Sequence, residues 1–382
     1  MKVYLDNAAT TPMAPEVIDA MIPVMKEHFG NPSSTHAFGR KTRAMIEMAR
    51  KRVAKHLNAQ SSEILFTSGG TEADNMAIMC SVRDLGVTHC ISTPIEHHAV
   101  LHTLECLEKE GSIRLSFVRL DEKGHVDLED LKRLLDTEEK TLVSLMHANN
   151  EVGNLLPLEE VSKLCREHGA LFHSDTVQSM AHYAFDLSQL DVDFLTCAAH
   201  KFHGPKGVGF LYVNKKIKID PLIHGGAQER NLRGGTENLI GIVGLDKAME
   251  VAYADLEGHQ KHVKALKSHM IDRLKAEIPG IAFNGDSANV DGSLYTVLSV
   301  SLPPNNIASM LLLNLDIMGV AVSGGSACSS GSNVGSHVLQ GIQADPERPA
   351  IRFSFSRYTN REEVDYAVDC LAKLLQEELA KQ

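Results

Sequence analysis

Lys201 lies in the stretch CAAHKFHGPKGVGF, directly after an apolar run and ahead of Gly and Pro turn residues. An amine held at the end of a strand has little freedom to reach solvent, so it can lose its proton and condense with an aldehyde to a Schiff base. Lys206, inside the turn, reads as a surface residue. Upstream, SGGT at 68–71 follows another apolar run. Gly69 and Gly70 let backbone come close to a ligand, and Thr71 opens a helix whose free N–H groups favour a phosphate. The same residues also make an ordinary turn and cap. They form neither a Walker A loop nor a G-x-G-x-x-G fingerprint, which disfavours nucleotides. Asp175 ends the apolar run ALFHSD, with Gln178 three residues on. A carboxylate there either caps a turn or needs a cation or good donors.

A phosphate cradle, a lysine for an imine and an aspartate for a protonated ring nitrogen are the three attachments of pyridoxal phosphate, and no other common cofactor uses that combination. PIEHHAV sets His97 and His98 at a helix start, and MHANNEVGN offers Asn149, Asn150 and Glu151 after a strand. Neither is diagnostic alone, and the histidine spacing lacks the shared face of an H-E-x-x-H metal site. No metal is expected. One thiol stands apart: Cys328, in SGGSACSSGS (323–332), has only Ser, Gly and Ala around it. A run without packing anchors lets a thiol travel at little cost.

The elements that must position these residues alternate. Short apolar strands at 63–69, 89–94, 113–120, 141–148, 170–175 and 193–200 are separated by helical periodicity. That pattern predicts an α/β fold with a mainly parallel sheet between helices and ligands at the carboxyl ends of its strands. A long charged helical region (about 236–278), two further strands and a terminal helix read as a smaller α+β domain. The expected division is a large domain over 15–257 and a small one over 1–14 and 258–382, the first dozen residues being the least determined.

Charge and cysteine usage exclude several classes. A net charge of −11 over 382 residues disfavours direct nucleic-acid binding, and the basic cluster RKTRAMIEMARKR (40–52) reads as a solvated helix face. No apolar run is long enough for a membrane span, and the N-terminus lacks a signal-peptide pattern, so a cytoplasmic protein is expected. Seven scattered cysteines without a C-x-x-C pair argue against a disulfide framework, and the six besides Cys328 read mostly as core residues.

From YLDNAATTP through GNPSSTHAFG, TSGGTEADN, IEHHAV, HANNEVG, HSDTVQS, AHKFHGPKGVG and LRGGTEN to SGGSACSSGS and IRFSFSRYT, the chain resembles the cysteine desulfurases of the NifS/IscS type. These are class V aminotransferases of PLP-dependent fold type I, and the SACSSG loop is similar to one subgroup of them. The resemblance implies that Lys201 binds the cofactor's aldehyde, His97 stacks on its ring and Asp175 holds the ring nitrogen. It implies Gln178 and Asn150 at the ring hydroxyl and substrate, and Gly70, Thr71 and His200 at the phosphate. Thr236 would reach that phosphate from the other subunit of a homodimer, and Arg352 would clamp the carboxylate of L-cysteine. Cys328 as thiolate would take the substrate's sulfur, Lys201 and His97 would carry protons, and alanine would leave.

The persulfide on Cys328 would pass to an iron–sulfur scaffold or sulfur-carrier protein. One departure from the family pattern is Ala198, where a serine usually adds a phosphate contact; its absence predicts looser cofactor retention at a cost of about 1 kcal/mol. The alternatives are a selenocysteine lyase or other class V lyase or aminotransferase, and a non-catalytic scaffold that retains the fold.

Overall fold

The computed structural model describes residues 1–305, 307–324 and 335–379. Cys328 lies outside the described residues. The chain opens with a short strand, β1 (Val3–Tyr4), and the helices α1 (Pro15–Glu27) and α2 (Ala37–His56). Strands and helices then alternate: β2 (Ile64–Thr67), α3 (Gly70–Leu85), β3 (His89–Ser92), α4 (His98–Lys109), β4 (Arg114–Phe117), α5 (Leu128–Leu135), β5 (Thr141–Ser144), α6 (Leu158–Glu167) and β6 (Leu171–Asp175). The strands β7 (Phe194–Ala198) and β8 (Gly209–Val213) complete this part.

These strands form a seven-stranded sheet in the order β2-β8-β7-β6-β5-β3-β4. Strands β2, β3, β5, β7 and β8 are buried along their whole length. That is why they read as continuous apolar runs and not as alternation. The pairings of β3 with β4 and β5, of β5 with β6 and of β6 with β7 are parallel. Strand β8, unrecognised in the sequence, runs antiparallel to both β2 and β7. The stretch between β7 and β8 is too short for a parallel crossover, which needs a dozen or more residues, so the chain must fold straight back.

After β8 come α7 (Leu239–Ala254), α8 (Leu256–Glu277), β9 (Ala282–Phe283), β10 (Val297–Ser301), α9 (Leu311–Ile317), β11 (Val320–Ala321), α10 (His337–Gly341), β12 (Ala350–Ser354) and α11 (Arg361–Leu379). Strands β12, β10 and β9 make a three-stranded sheet, while β11 pairs with β1. One apolar core joins α1, α2 and α7 to the large sheet; a second gathers Val3 and Leu5 with residues of α8, β10, β12 and α11. The helical region that reads as one in the sequence is broken at Asp255, where φ is −143°. Nor is the basic stretch of α2 wholly solvated. Arg50 is 2% exposed and grips Glu229 through two hydrogen bonds of 2.7 and 2.8 Å.

Candidate active site

The carboxyl ends of the parallel strands and the turns that follow them meet at a cavity of about 240 Å³ lined by Gly70, Thr71, His97, Asn150, Asp175, Gln178, His200, Lys201 and Arg352. Each is delivered by a local feature. Strand β7 ends at Ala198, and a single 3₁₀ turn, Ala199–Lys201, aims the lysine back along the sheet edge. Its Nζ donates to the carbonyl oxygens of Ala8 at 2.6 Å and Ala9 at 2.9 Å. The N-terminal segment therefore forms a wall of the cavity as well as part of the second core.

Asp175 is the last residue of β6 and is 5% exposed. Its Oδ1 accepts from the N–H of Val177 at 2.8 Å. Burial, and then the neighbouring charge of Asp74, push its pKa up to about 7. His97 caps α4, its Nδ1 accepting from the N–H of Ala99 at 3.1 Å. Burial and the Lys201 charge push that imidazole down to about 4, so it is neutral. Gln178 donates to the carbonyl oxygen of Ala8 at 2.9 Å. His200, also pushed down to about 4 by burial, meets Thr10 Oγ1 at 3.1 Å through Nδ1.

Gly70 begins α3, so the first N–H groups of that helix face the cavity without intrahelical acceptors. A Cβ at Gly70 would come within 2.7 Å of Val177 Cγ2, and the methyl of Ala198 lies 3.7 Å from that point. A side chain at Gly70 would therefore crowd Val177, in the turn after β6. Arg352, from β12, is 2% exposed. It donates through Nη1 to the Asn150 carbonyl oxygen and through Nη2 to Asp6 Oδ1, both at 2.9 Å, while its Nε has no partner among the described residues.

Thr236 is not brought to this cavity. It is exposed on a second hollow, with Thr67, Ser68 and Arg233. A larger cleft of about 940 Å³ beside α6 holds none of the predicted site residues. Asn149, unlike Asn150, is structural: its side chain bonds Ile95, Glu151 and Val152 backbone groups. Sequence reasoning missed Asp74, Val177, Ala8 and Ala9 as lining residues. Only the position of Asp74 one helical turn after Gly70 could have signalled it.

The arrangement suits a phosphorylated pyridine aldehyde. An amine, a buried carboxylate with raised proton affinity and a helix start with open N–H groups surround one cavity. The proton affinity of Asp175 matches a contact that awaits a ring nitrogen. Lys201, Asp175 and the Gly70–Thr71 turn would hold the group.

Residues 3–367 match the family model described as aminotransferase class-V. The cysteine desulfurase IscS of Dictyoglomus turgidum is 44% identical, the match covering 98% of this chain and 95% of that protein. A solved NifS-like protein superposes with a TM-score of 0.91 at 39% identity over 99% of this chain and all of that one. A structure titled SspA in complex with cysteine gives 0.80 at 31% identity, covering 94% and 100%.

Proposed function

The chain belongs to the class-V aminotransferase family and is a cysteine desulfurase, and from that premise we propose how its residues divide the work. The observation that carries the reading is the meeting of Lys201, His97, Asp175 and Arg352 at one cavity. Pyridoxal phosphate, on which the family depends, supplies an aldehyde for an amine and a ring that withdraws electrons, so that the carbon beside the substrate nitrogen can lose a proton. Lys201 anchors that aldehyde and then carries the proton. Asp175 holds the ring nitrogen protonated, and Gly70, Thr71 and His200 hold the phosphate. His97, neutral at pH 7, is suited to stack on the ring and to receive or return a proton.

Arg352 clamps the carboxylate of L-cysteine, with Asn150 and Gln178 beside it. The thiolate of Cys328 attacks the substrate's sulfur: an S–S bond forms, the carbon–sulfur bond breaks with its electron pair left on carbon, and protonation of that carbon yields alanine. The resulting persulfide passes to an iron–sulfur scaffold or sulfur-carrier protein.

Two copies form the working unit, with Thr236 of each reaching the other's phosphate site. An exposed apolar strip on α1 and nearby residues, with Ile18, Ile22, Met25 and Phe29, supports such pairing. The large unit over 15–257 and the small unit over 1–14 and 258–382 each have a core in support. Unpaired cysteines throughout the described residues suit a reducing, cytoplasmic setting. The test is borohydride reduction of the cofactor-loaded protein followed by peptide mass mapping. The pyridoxyl group is expected on Lys201, and its attachment elsewhere or nowhere would sink the reading.

A further inference from the structure

Asp74 has no part in that division of work, although the identity of the ring it would serve rests on that reading. It is 1% exposed and lines the cavity. Donor atoms of Asp74, Asp175 and His97 all lie within 4.8 Å of one another. Asp74 Oδ1 has no hydrogen-bond partner among the described residues and sits 3.4 Å from His173 Nε2. The carboxyl also bonds Thr196. Thr196 Oγ1 is 3.1 Å from His173 Nε2, and His173 Nδ1 is 2.8 Å from Ser144 Oγ. A polar chain thus runs from the cavity into the sheet.

The groups facing the two carboxyls are His173 on β6, Thr196 on β7, Glu96 and His97 ahead of α4, and Lys201. His97 and His173 are neutral, both pushed down to about 4 by burial, and burial pushes the Glu96 carboxyl well above its ordinary range. Lys201 and Arg352 supply positive charge in the cavity lining. Two desolvated carboxyls this close do not both ionise. Burial raises the proton affinity of both, so Asp74 and Asp175 carry one proton and one negative charge between them.

We propose that Asp74 is a positioning partner of Asp175: the two carboxyls hold one proton between them and keep it at the contact made for a ring nitrogen. Delivery of that proton breaks one O–H bond of the pair, forms one N–H bond and leaves the net charge of the cavity unchanged. A lone Asp175 would have to draw it from solvent.

The test is titration of wild-type and Asp74→Asn apoprotein with pyridoxal phosphate from pH 6 to pH 9, with the dissociation constant read by absorbance. The amide preserves the bond to Thr196 but has no proton to give. The two affinities should agree within about twofold at pH 6. The variant's affinity should then fall by up to about tenfold per pH unit, with an onset about one unit below that of the wild type. Parallel curves, or an equal loss at every pH as a purely structural role would give, overturn the proposal. Should the variant not fold, infrared spectra of the wild type decide: a protonated-carboxyl band must vanish on cofactor binding, and its persistence overturns the proposal. Failure of the wild type to bind the cofactor at all strikes the proposed function instead.

Discussion

The guanidinium of Arg352 is paired with Asp6, Nη2 to Oδ1 at 2.9 Å, so the N-terminal segment aims the residue that is to grip the substrate. Arginine fits because its planar fork can serve Asp6 and the Asn150 carbonyl while its charge still faces the cavity. Arg352→Lys keeps the charge and loses the fork. The KM for cysteine should rise by at least about tenfold, with a much smaller change in kcat. Asp6→Asn should raise KM less and also lower the melting temperature, because it leaves a buried cation short of its partner. Steady-state kinetics beside thermal melts check both, and an unchanged KM in Arg352→Lys would remove the clamp.

Ala198 offers a methyl where a hydroxyl could reach the open start of α3, and it is 2% exposed beside Gly70. Ala198→Ser should tighten cofactor retention by about fivefold, the equivalent of one neutral hydrogen bond of about 1 kcal/mol. Dialysis against cofactor-free buffer measures the loss rate. A rate equal to or faster than that of the wild type would show that the hydroxyl finds no phosphate.

Buried histidines set the acid limit of the fold. His97, His147, His173, His182, His200 and His203 are each pushed down to about 4, and His259 to about 2, by burial. A histidine depressed in the fold adds stability above its unfolded value of about 6.5, and that stability is lost as pH falls toward the folded value. Asp74, Asp175, Glu96, Glu151, Asp193 and Asp246, raised by burial, act in the opposite direction, losing stability as pH climbs through the folded value. The depressed histidines, with His56, His89 and His98 lowered as well, outnumber these six carboxyls. The melting temperature of the apoprotein should therefore drop by several degrees or more between pH 6.5 and pH 4.5, and a flat or rising curve in differential scanning calorimetry would refute this.

Most of the large sheet was legible because its strands are short apolar runs buried on both faces, and because Lys201, Asp175 and the SGGT turn each sit at such a run's end. Strand β8 was not, since GVGFLYV opens on glycine and merges with the preceding turn. The break between α7 and α8 was hidden because no Gly or Pro marks it. Asp255 makes it, its carboxylate folded over Gly258, where a Cβ would come within 2.3 Å of Oδ1. Asp74 could not be recognised because TEADN reads as ordinary helix, and its chemistry exists only where α3 lies against the end of β6. Arg50 within a basic run likewise looked solvated until its partner, far along the chain, was in place.

The backbone N–H of Arg352 donates to the carbonyl oxygen of Ser323 at 2.6 Å, so Ser323 is paired with the strand that carries the proposed substrate clamp. The proposed chemistry has two halves, the grip on the carboxylate and the attack on sulfur. Removing the nucleophile should then separate them. Cys328→Ser should bind cofactor with unchanged absorbance and still respond spectrally to cysteine, while alanine formation falls by at least about a hundredfold and no persulfide mass appears on the protein. A selenocysteine lyase or a transaminase with an accessory thiol would keep its turnover of cysteine in this variant. Alanine production near the wild-type rate would therefore take the sulfur-transfer step away from this residue and leave the cofactor site intact.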